Sequence, residues 1–451
     1  MAHLHAAEAL LPEGWARDVR ITLGPDGRIA AVGQGPAAPG DHRAGVLVPA
    51  PANSHSHAFQ RAMAGLSERR GAGDDSFWTW RALMYRFLET ITPAQVEAIA
   101  AFVQMQMLEA GFGSHVEFHY LHHAPGGQPY ADLGEMSARI AAAAATSGMG
   151  LTLLPVLYRF GGCDRRALAG GQLRFGNDPE RYARLVEAAA RALAPLPDAR
   201  LGVAPHSLRA VAPEDFAPLA ALTDGPIHMH LAEQIPEVDE VRAAYGARPV
   251  EWALDNLDLS PRWCLIHLTQ MTPAETEGLA PTGAVAGLCP LTEASLGDGI
   301  FDGVRWMGAG GAISLGSDSN IRISLAEELR QLETSQRLRD HSRAALATAE
   351  QSTGRRIFEV SARGGAQAAG RGAGVIAVGE PADLLALDMT HPDLEGLTGD
   401  TILDSFAMAG GSEMVADVWS GGRHMVRGGR HVAREAITAA YRAAVRPLRD
   451  G

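Results

Sequence analysis

The residues best suited to chemistry are histidines and acids that fall at the ends of short apolar runs. The first group is Asn53-Ser-His-Ser-His57. In an extended strand residues i and i+2 point to the same side, so His55 and His57 can meet one metal ion. A His-x-His pair alone is weak evidence, because the chain carries two more: His3-Leu-His5, in a segment expected to be a mobile tail, and His228-Met-His230. The second group is HMHLAEQ, where Glu233 follows His230 by three residues. A histidine there can hold a metal while a carboxylate that is not a ligand moves protons, the division of labour of metal-assisted hydrolysis. His228 shares the strand face of His230 but lies one layer deeper, and reads better as a packed, hydrogen-bonded histidine. His267 ends the run WCLIHL, and Asp318 stands in SLGSDSN. A single buried Asp is by itself more often a cap or turn residue.

These groups need a scaffold that aims them at one point. Eight short apolar runs end in polar residues and alternate with helical stretches: VLVPA before Asn53, SHVEF before His119, LTLLPVLY, LGVAPHSL, PIHMHLAE, WCLIHL, VAGLCPL and AISLGSDS. Segments such as PAQVEAIAAFVQMQMLEAG and DPERYARLVEAAARALAPL have helical spacing and open on residues that favour a helix start. Strands alternating with helices imply a parallel sheet, and eight units without a GxGxxG loop point to a (β/α)8 TIM-type barrel over residues 49–370. In a closed barrel the last strand neighbours the first, which brings Asp318 close to His55 and His57. The flanks read differently. VRITLGPDGRIAAVG is two strand-like runs about a Pro-Asp-Gly turn, and GVIAVGEPADLLALD and DVWSGGRHMVRGG are again short strands, so residues 1–48 and 371–451 are expected to form a small β-sandwich from both termini, with AREAITAAYRAAVRP as a terminal helix.

Composition narrows the function classes. A net charge of -13 and no basic stripe disfavour nucleic acid. The chain has no lysine, so its 39 basic residues are all arginine, which excludes a Schiff-base lysine, a P-loop lysine and a carboxylated lysine bridging two ions. Cys163, Cys264 and Cys289 are widely spaced and odd in number, as expected of reduced thiols in a cytoplasmic protein. The N-terminus lacks a basic region followed by an apolar one, so no secretory signal is expected. Residues 140–158 carry no charge, yet Gly148, Gly150 and Pro155 make this stretch a helix end, a turn and a buried strand rather than a membrane span.

A His-x-His after strand one, a His after strand five, a His after strand six and an Asp after strand eight resemble the amidohydrolase superfamily, in its mononuclear deaminase branch, over the whole chain. The missing lysine independently favours one ion over two. The longer strings NSHSHAFQRAMAGL, DSFWTWRALMY, EFHYLHH, HMHLAEQIPEV, GLCPLTEASLGDGIF and LGSDSNIRISLAEELRQLE resemble the formimidoylglutamate deiminase family. Ser114-His115, Leu268, Leu291 and Ser295 depart from its pattern and bear on substrate preference. The resemblance implies hydrolysis of N-formimino-L-glutamate to N-formyl-L-glutamate and ammonia, in histidine degradation, by a homodimer.

The chemistry can also be argued from the residues. Hydrolysing a formimino carbon needs a nucleophile at neutral pH, which one divalent ion on His55, His57, His230 and Asp318 can generate; zinc suits that donor set and iron is tolerated by it. Asp318 would accept a proton from the water, His267 would steady the tetrahedral centre, and Glu233 would protonate the imine nitrogen and then the leaving ammonia. A substrate with two carboxylates calls for arginine in bidentate geometry. The resemblance implies that Arg81 and Arg209 bind the glutamate end, with Tyr120 and His206 assisting and Gln60 near the formimino group. Arg81 alone would read as a surface charge on a helix, and His119, His122 and His123 are expected to pack rather than to bind a second metal. The aromatic DSFWTW segment has core-like spacing and could form part of a lid. Two other readings stay open: a related deaminase acting on a cyclic amidine such as guanine or a pterin, and a barrel that has lost catalysis and serves as a scaffold. The complete set of six site residues argues against the second.

Overall fold

The computed structural model describes residues 2–68 and 77–449; for residues 77–82 it describes the backbone alone. The chain starts with four strands, β1 (Ala2–Leu11), β2 (Gly14–Leu23), β3 (Ile29–Gln34) and β4 (His42–Pro49). The barrel follows with β5 (Ala52–Ser56), β6 (Ser114–His119), β7 (Gly150–Leu157), β8 (Arg200–Leu201), β9 (Ala204–Pro205), β10 (Ile227–Leu231), β11 (Trp263–His267), β12 (Val285–Leu288) and β13 (Ala312–Leu315). Four more strands end the sheet structure: β14 (Leu384–Leu387), β15 (Val415–Ser420), β16 (Arg423–Arg427) and β17 (Arg430–His431).

The barrel strands pair in parallel in the order β10-β11-β12-β13-β5-β6-β7-β8. The fourth barrel strand is broken: β8 and β9 both pair with β7, on either side of Gly202 and Val203. A Cβ on Gly202 would lie 2.4 Å from the Pro226 carbonyl oxygen, so only glycine lets the chain pass there. Val203 then bridges to Ile227 and closes the ring onto β10. These strands are buried on both faces, as parallel strands covered by helices must be, which explains their continuous apolar runs. Helices begin where the caps predict. Thr92 and Gln95 form a capping box at Pro93–Glu109, Asp178 caps Pro179–Leu193, and Ser324 caps Leu325–Asp340.

The flanking strands form one eight-stranded sheet in the order β17-β16-β15-β14-β4-β1-β2-β3, rather than two stacked sheets of a sandwich. The N-terminal and C-terminal halves join where β4 runs antiparallel to β14, Val46–Pro49 against Leu384–Leu387. Its own core gathers Leu4, Ile21, Ile29, Leu47, Ile376, Leu384 and Trp419.

Two expectations are corrected. The VLVP of VLVPA belongs to β4 and the terminal sheet, and the first barrel strand is the polar stretch Ala52–Ser56. His3 and His5 lie not in a mobile tail but in β1, where the His5 ring is mostly buried and faces the Gly35 carbonyl at 3.1 Å. Among the described residues no helix is long and apolar enough to cross a membrane.

Candidate active site

A hydrogen-bonded seam between the first and last barrel strands sets the metal-ligating end of the site. Asn53 in β5 donates to Ser317 Oγ at 2.8 Å, Ser317 Oγ donates to Asn320 at 2.7 Å, and Asn320 donates to Ser56 Oγ at 3.1 Å. The His57 amide donates to the Asp318 carbonyl at 2.9 Å, and Ser56 bridges to Asp318. The strands approach so closely that a Cβ on Gly316 would sit 2.7 Å from the His55 nitrogen. This seam places the Asp318 carboxylate under His55 and His57. Asp318 has φ +42° and Asn320 +56°, left-handed backbone that non-glycine residues adopt only when their surroundings hold them.

Four donors converge there. His57 Nε2 and His55 Nε2 lie 3.2 and 3.5 Å from Asp318 Oδ1, and the Nε2 atoms of His55 and His230 are 3.1 Å apart. His57 Nδ1 faces the Phe118 carbonyl at 3.0 Å, and His230 Nδ1 faces the His206 carbonyl at 3.1 Å. A carbonyl only accepts, so those nitrogens carry the protons and both Nε2 atoms offer lone pairs inward. Burial pushes His55 down to about 3 and also lowers His57 and His230, which keeps the imidazoles neutral, the form that binds a metal. Burial works against the Asp318 charge, but His55, His57 and His267 outweigh it and hold the carboxyl below its ordinary range. Neutral nitrogens aimed at one another beside a carboxylate fit a divalent cation between them.

Glu233 and His267 face this cluster from β10 and β11. Glu237 accepts from the backbone amides of Ala232 and Glu233 at 3.2 and 3.0 Å, which fixes the turn that presents Glu233. His267 Nε2 lies 3.6 Å from Glu233, and His267 Nδ1 lies 3.2 Å from Glu293, whose carboxylate also accepts from the Cys289 amide. Burial raises Glu233 to about 7, although His267 and Arg209 pull the other way. Burial opposes charge on His267, but Glu233, Glu293 and Asp318 together raise it to about 10. Ala232, His267 and Leu268 all have φ between +54° and +75°, so the turns after β10 and β11 are strained where these groups project.

A cleft opens over the cluster at the C-terminal ends of the barrel strands. His57, His230, Glu233, His267 and Asp318 line it together with Gln60, Tyr120, His206 and Arg209, while His55 lies fully buried beside them. Gln60 donates to the Tyr120 hydroxyl at 2.6 Å. The Arg209 side chain is 10% exposed, its Nε has no hydrogen-bond partner among the described residues, and Nη2 lies 4.0 Å from Glu233. Arg81 falls on the helix Phe77–Leu88, but its side chain lies outside the described residues, as does the start of the DSFWTW segment. His228 is buried away from the cleft with Nε2 2.8 Å from the Ala368 carbonyl, and His119, His122 and His123 join none of the candidate metal clusters among the described residues. Sequence reasoning missed Tyr158, Phe175 and Leu296 in the lining, and the supporting acids Glu237 and Glu293. The two acids stand inside the HMHLAEQIPEV and GLCPLTEASLGDGIF strings; the apolar lining residues carry no local signal.

A barrel with an all-histidine-and-aspartate metal cluster beside a buried acid is the arrangement of a metal-assisted hydrolase. The amidohydrolase family model matches residues 46–425, and the model described as "Formimidoylglutamate deiminase HutF, N-terminal domain" matches residues 1–45. A formimidoylglutamate deiminase of Pseudomonas aeruginosa is 46% identical over 447 residues, 98% of either chain. The crystal structure of an amidohydrolase from Brucella melitensis superposes with a TM-score of 0.96 at 49% identity, over 99% of this chain and 100% of that one. An adenosine deaminase from Xanthomonas campestris, solved with bound zinc, shares the fold at a TM-score of 0.83 and 21% identity, over 100% and 99% of the two chains. The chain belongs to the amidohydrolase family, among its formimidoylglutamate deiminases.

Proposed function

We propose that this chain hydrolyses N-formimino-L-glutamate to N-formyl-L-glutamate and ammonia, as a step of histidine breakdown. The observation that carries the reading is one cleft in which a His55–His57–His230–Asp318 cluster, the acid pair Glu233–His267 and the buried cation Arg209 all converge. The quartet would hold one zinc ion, which supplies a Lewis acid and lowers the pKa of water from 15.7 toward roughly 7.

The protein groups divide the remaining work. Asp318 takes a proton from the attacking water. Glu233, with a pKa near neutrality, can be protonated in the resting site and gives its proton to the imine nitrogen, which makes the carbon more electrophilic. His267 donates from Nε2 toward the oxygen that becomes negative as the C–O bond forms. Glu233, now a carboxylate, takes the hydroxyl proton of the tetrahedral centre as the C=O forms and delivers it to the departing nitrogen; the C–N bond breaks, ammonia leaves, and the proton held by Asp318 restores the acid form of Glu233. Arg209 pairs with one substrate carboxylate, Tyr120 and His206 assist, Gln60 stands near the formimino group, and Arg81 takes the other carboxylate.

Three buried thiols with no disulfide support a reducing, cytoplasmic setting, and the family resemblance supports a homodimer. The same resemblance supports reading residues 49–370 as the catalytic unit between 1–48 and 371–451. Tyr158 and Phe175 in the lining favour, as a second reading, a flat cyclic amidine stacked in the cleft.

Mass spectrometry of N-formimino-L-glutamate incubated with zinc-loaded protein tests the proposal. N-formylglutamate and equimolar ammonia are expected, with the rate of Glu233→Gln reduced about 10²- to 10⁴-fold. No turnover of this substrate by a zinc-replete sample that deaminates a purine or pterin would transfer the assignment to the second reading.

A further inference from the structure

A second constellation of side chains able to ligate a metal lies outside the barrel, in the terminal sheet. His42 at the start of β4, Asp417 in β15 and His424 in β16 bring Nε2, a carboxylate and Nε2 together, all within 4.8 Å of one another. His42 Nε2 is 3.3 Å from Asp417 Oδ2, and His424 Nε2 is 2.8 Å from Asp417 Oδ1. The His42 distance falls between the 3.2 and 3.5 Å of the barrel quartet, whereas the shorter His424 contact is a hydrogen bond that an ion would replace. Donors bound to one tetrahedral zinc stand roughly 3.4 Å apart. Both rings are held in place. Trp419 stacks on His424 with centroids 4.3 Å apart and meets the His42 ring edge-on at 5.2 Å, while the two imidazoles stand at 80° to each other. The His42 side chain is 38% exposed, so water can complete the coordination and an ion can enter from solvent.

We propose that His42, Asp417 and His424 form a second zinc site, structural rather than catalytic. It would clip the two ends of the chain together. His42 and Asp417 are 375 residues apart, and they lie on opposite sides of the junction between β4 and β14 where the N-terminal and C-terminal strands meet. An ion bound only by the folded arrangement stabilises that arrangement, and with it the junction of the two chain ends, by mass action. The site is independent of the reading given to the barrel cleft.

Equilibrium dialysis of the full-length protein against zinc, followed by metal counting and thermal melting, tests it. The wild type is expected to bind one zinc per chain more than Asp417→Asn and His424→Ala, and to gain thermal stability from that extra ion where the variants do not. Asp417→Asn is isosteric, and circular dichroism of the zinc-free proteins reports whether each variant is folded. Equal zinc counts in wild type and folded Asp417→Asn, or an equal zinc-dependent rise in melting temperature, would overturn the site; so would an extra ion that persists in both variants.

Discussion

Replacing Arg209 by methionine, compared across substrates with and without each carboxylate, tests the substrate contact on which the assignment of a dicarboxylate depends. The side chain lines the cleft and is almost wholly buried, and its Nε has no hydrogen-bond partner among the described residues. Burial opposes its charge, yet Glu237 and Glu233 more than compensate, and the guanidinium stays cationic. A bidentate pair with a substrate carboxylate makes two charge-assisted hydrogen bonds, each contributing about 1.5–3 kcal/mol. Allowing for water that replaces part of the contact, the loss is about 3–4 kcal/mol, or roughly 10²- to 10³-fold in kcat/KM. The assay is steady-state ammonia release from N-formimino-L-glutamate and from its two monoamides. With the monoamide that lacks the carboxylate held by Arg209, the wild type should fall by a similar factor while Arg209→Met falls little further, a coupling of about 3 kcal/mol across the cycle. If the variant loses the same factor with all three substrates, Arg209 does not pair with a carboxylate and the reasoning fails.

Two further outcomes are expected. A Cβ on Gly364 would lie 2.0 Å from the Ile313 carbonyl oxygen, so Gly364→Ala must push the helix Thr353–Ala368 off β13. The overpacking cost of about 1–3 kcal/mol should exceed the gain of about 1 kcal/mol in helix propensity, and chemical denaturation should show a lower midpoint. Asp198 is buried in part, which opposes its charge, but Arg423 at 2.7 Å and Arg371 at 3.3 Å lower its pKa below the ordinary 3.8. A carboxyl depressed in the folded state adds stability above the unfolded pKa and loses it as pH falls through the folded value. The melting advantage of wild type over Asp198→Asn, roughly 1–3 kcal/mol at neutral pH, should therefore hold down to about pH 4 and shrink below it; an advantage independent of pH across the acid limb would contradict the ion-pair account.

Much of the barrel is legible in the chain because parallel strands covered by helices must be apolar throughout, so LTLLPVLY and WCLIHL announce themselves. Ala52–Ser56 escapes that rule. It is a strand because Asn53 and Ser56 bond across to Ser317 and Asn320, contacts more than 250 residues away that no local pattern encodes. VLVPA, next to it, is apolar for another reason, since it lines the junction with β14. Histidines and acids at strand ends are visible because their chemistry is unusual in an apolar run. Phe175 and Leu296 line the same cleft with side chains that any core would accept, and only the fold brings them there. Glu237 and Glu293 lie between these extremes: their roles come from turns that bend back onto their own carboxylates.

The pairing of β4 with β14 also bears on how the molecule is made. The first four strands leave the ribosome early, but their sheet is completed only when Leu384–Leu387 and the strands after it arrive. That is roughly 330 residues later, some tens of seconds at about 5–20 residues per second. Throughout that interval Val46, Leu47 and Val48 present an apolar strand edge with no neighbour, the kind of edge that recruits other chains. The nascent chain must keep that edge covered until about the last seventh of its length emerges, so yield during synthesis should depend on translation speed and on holding chaperones more than the stability of the finished enzyme would suggest.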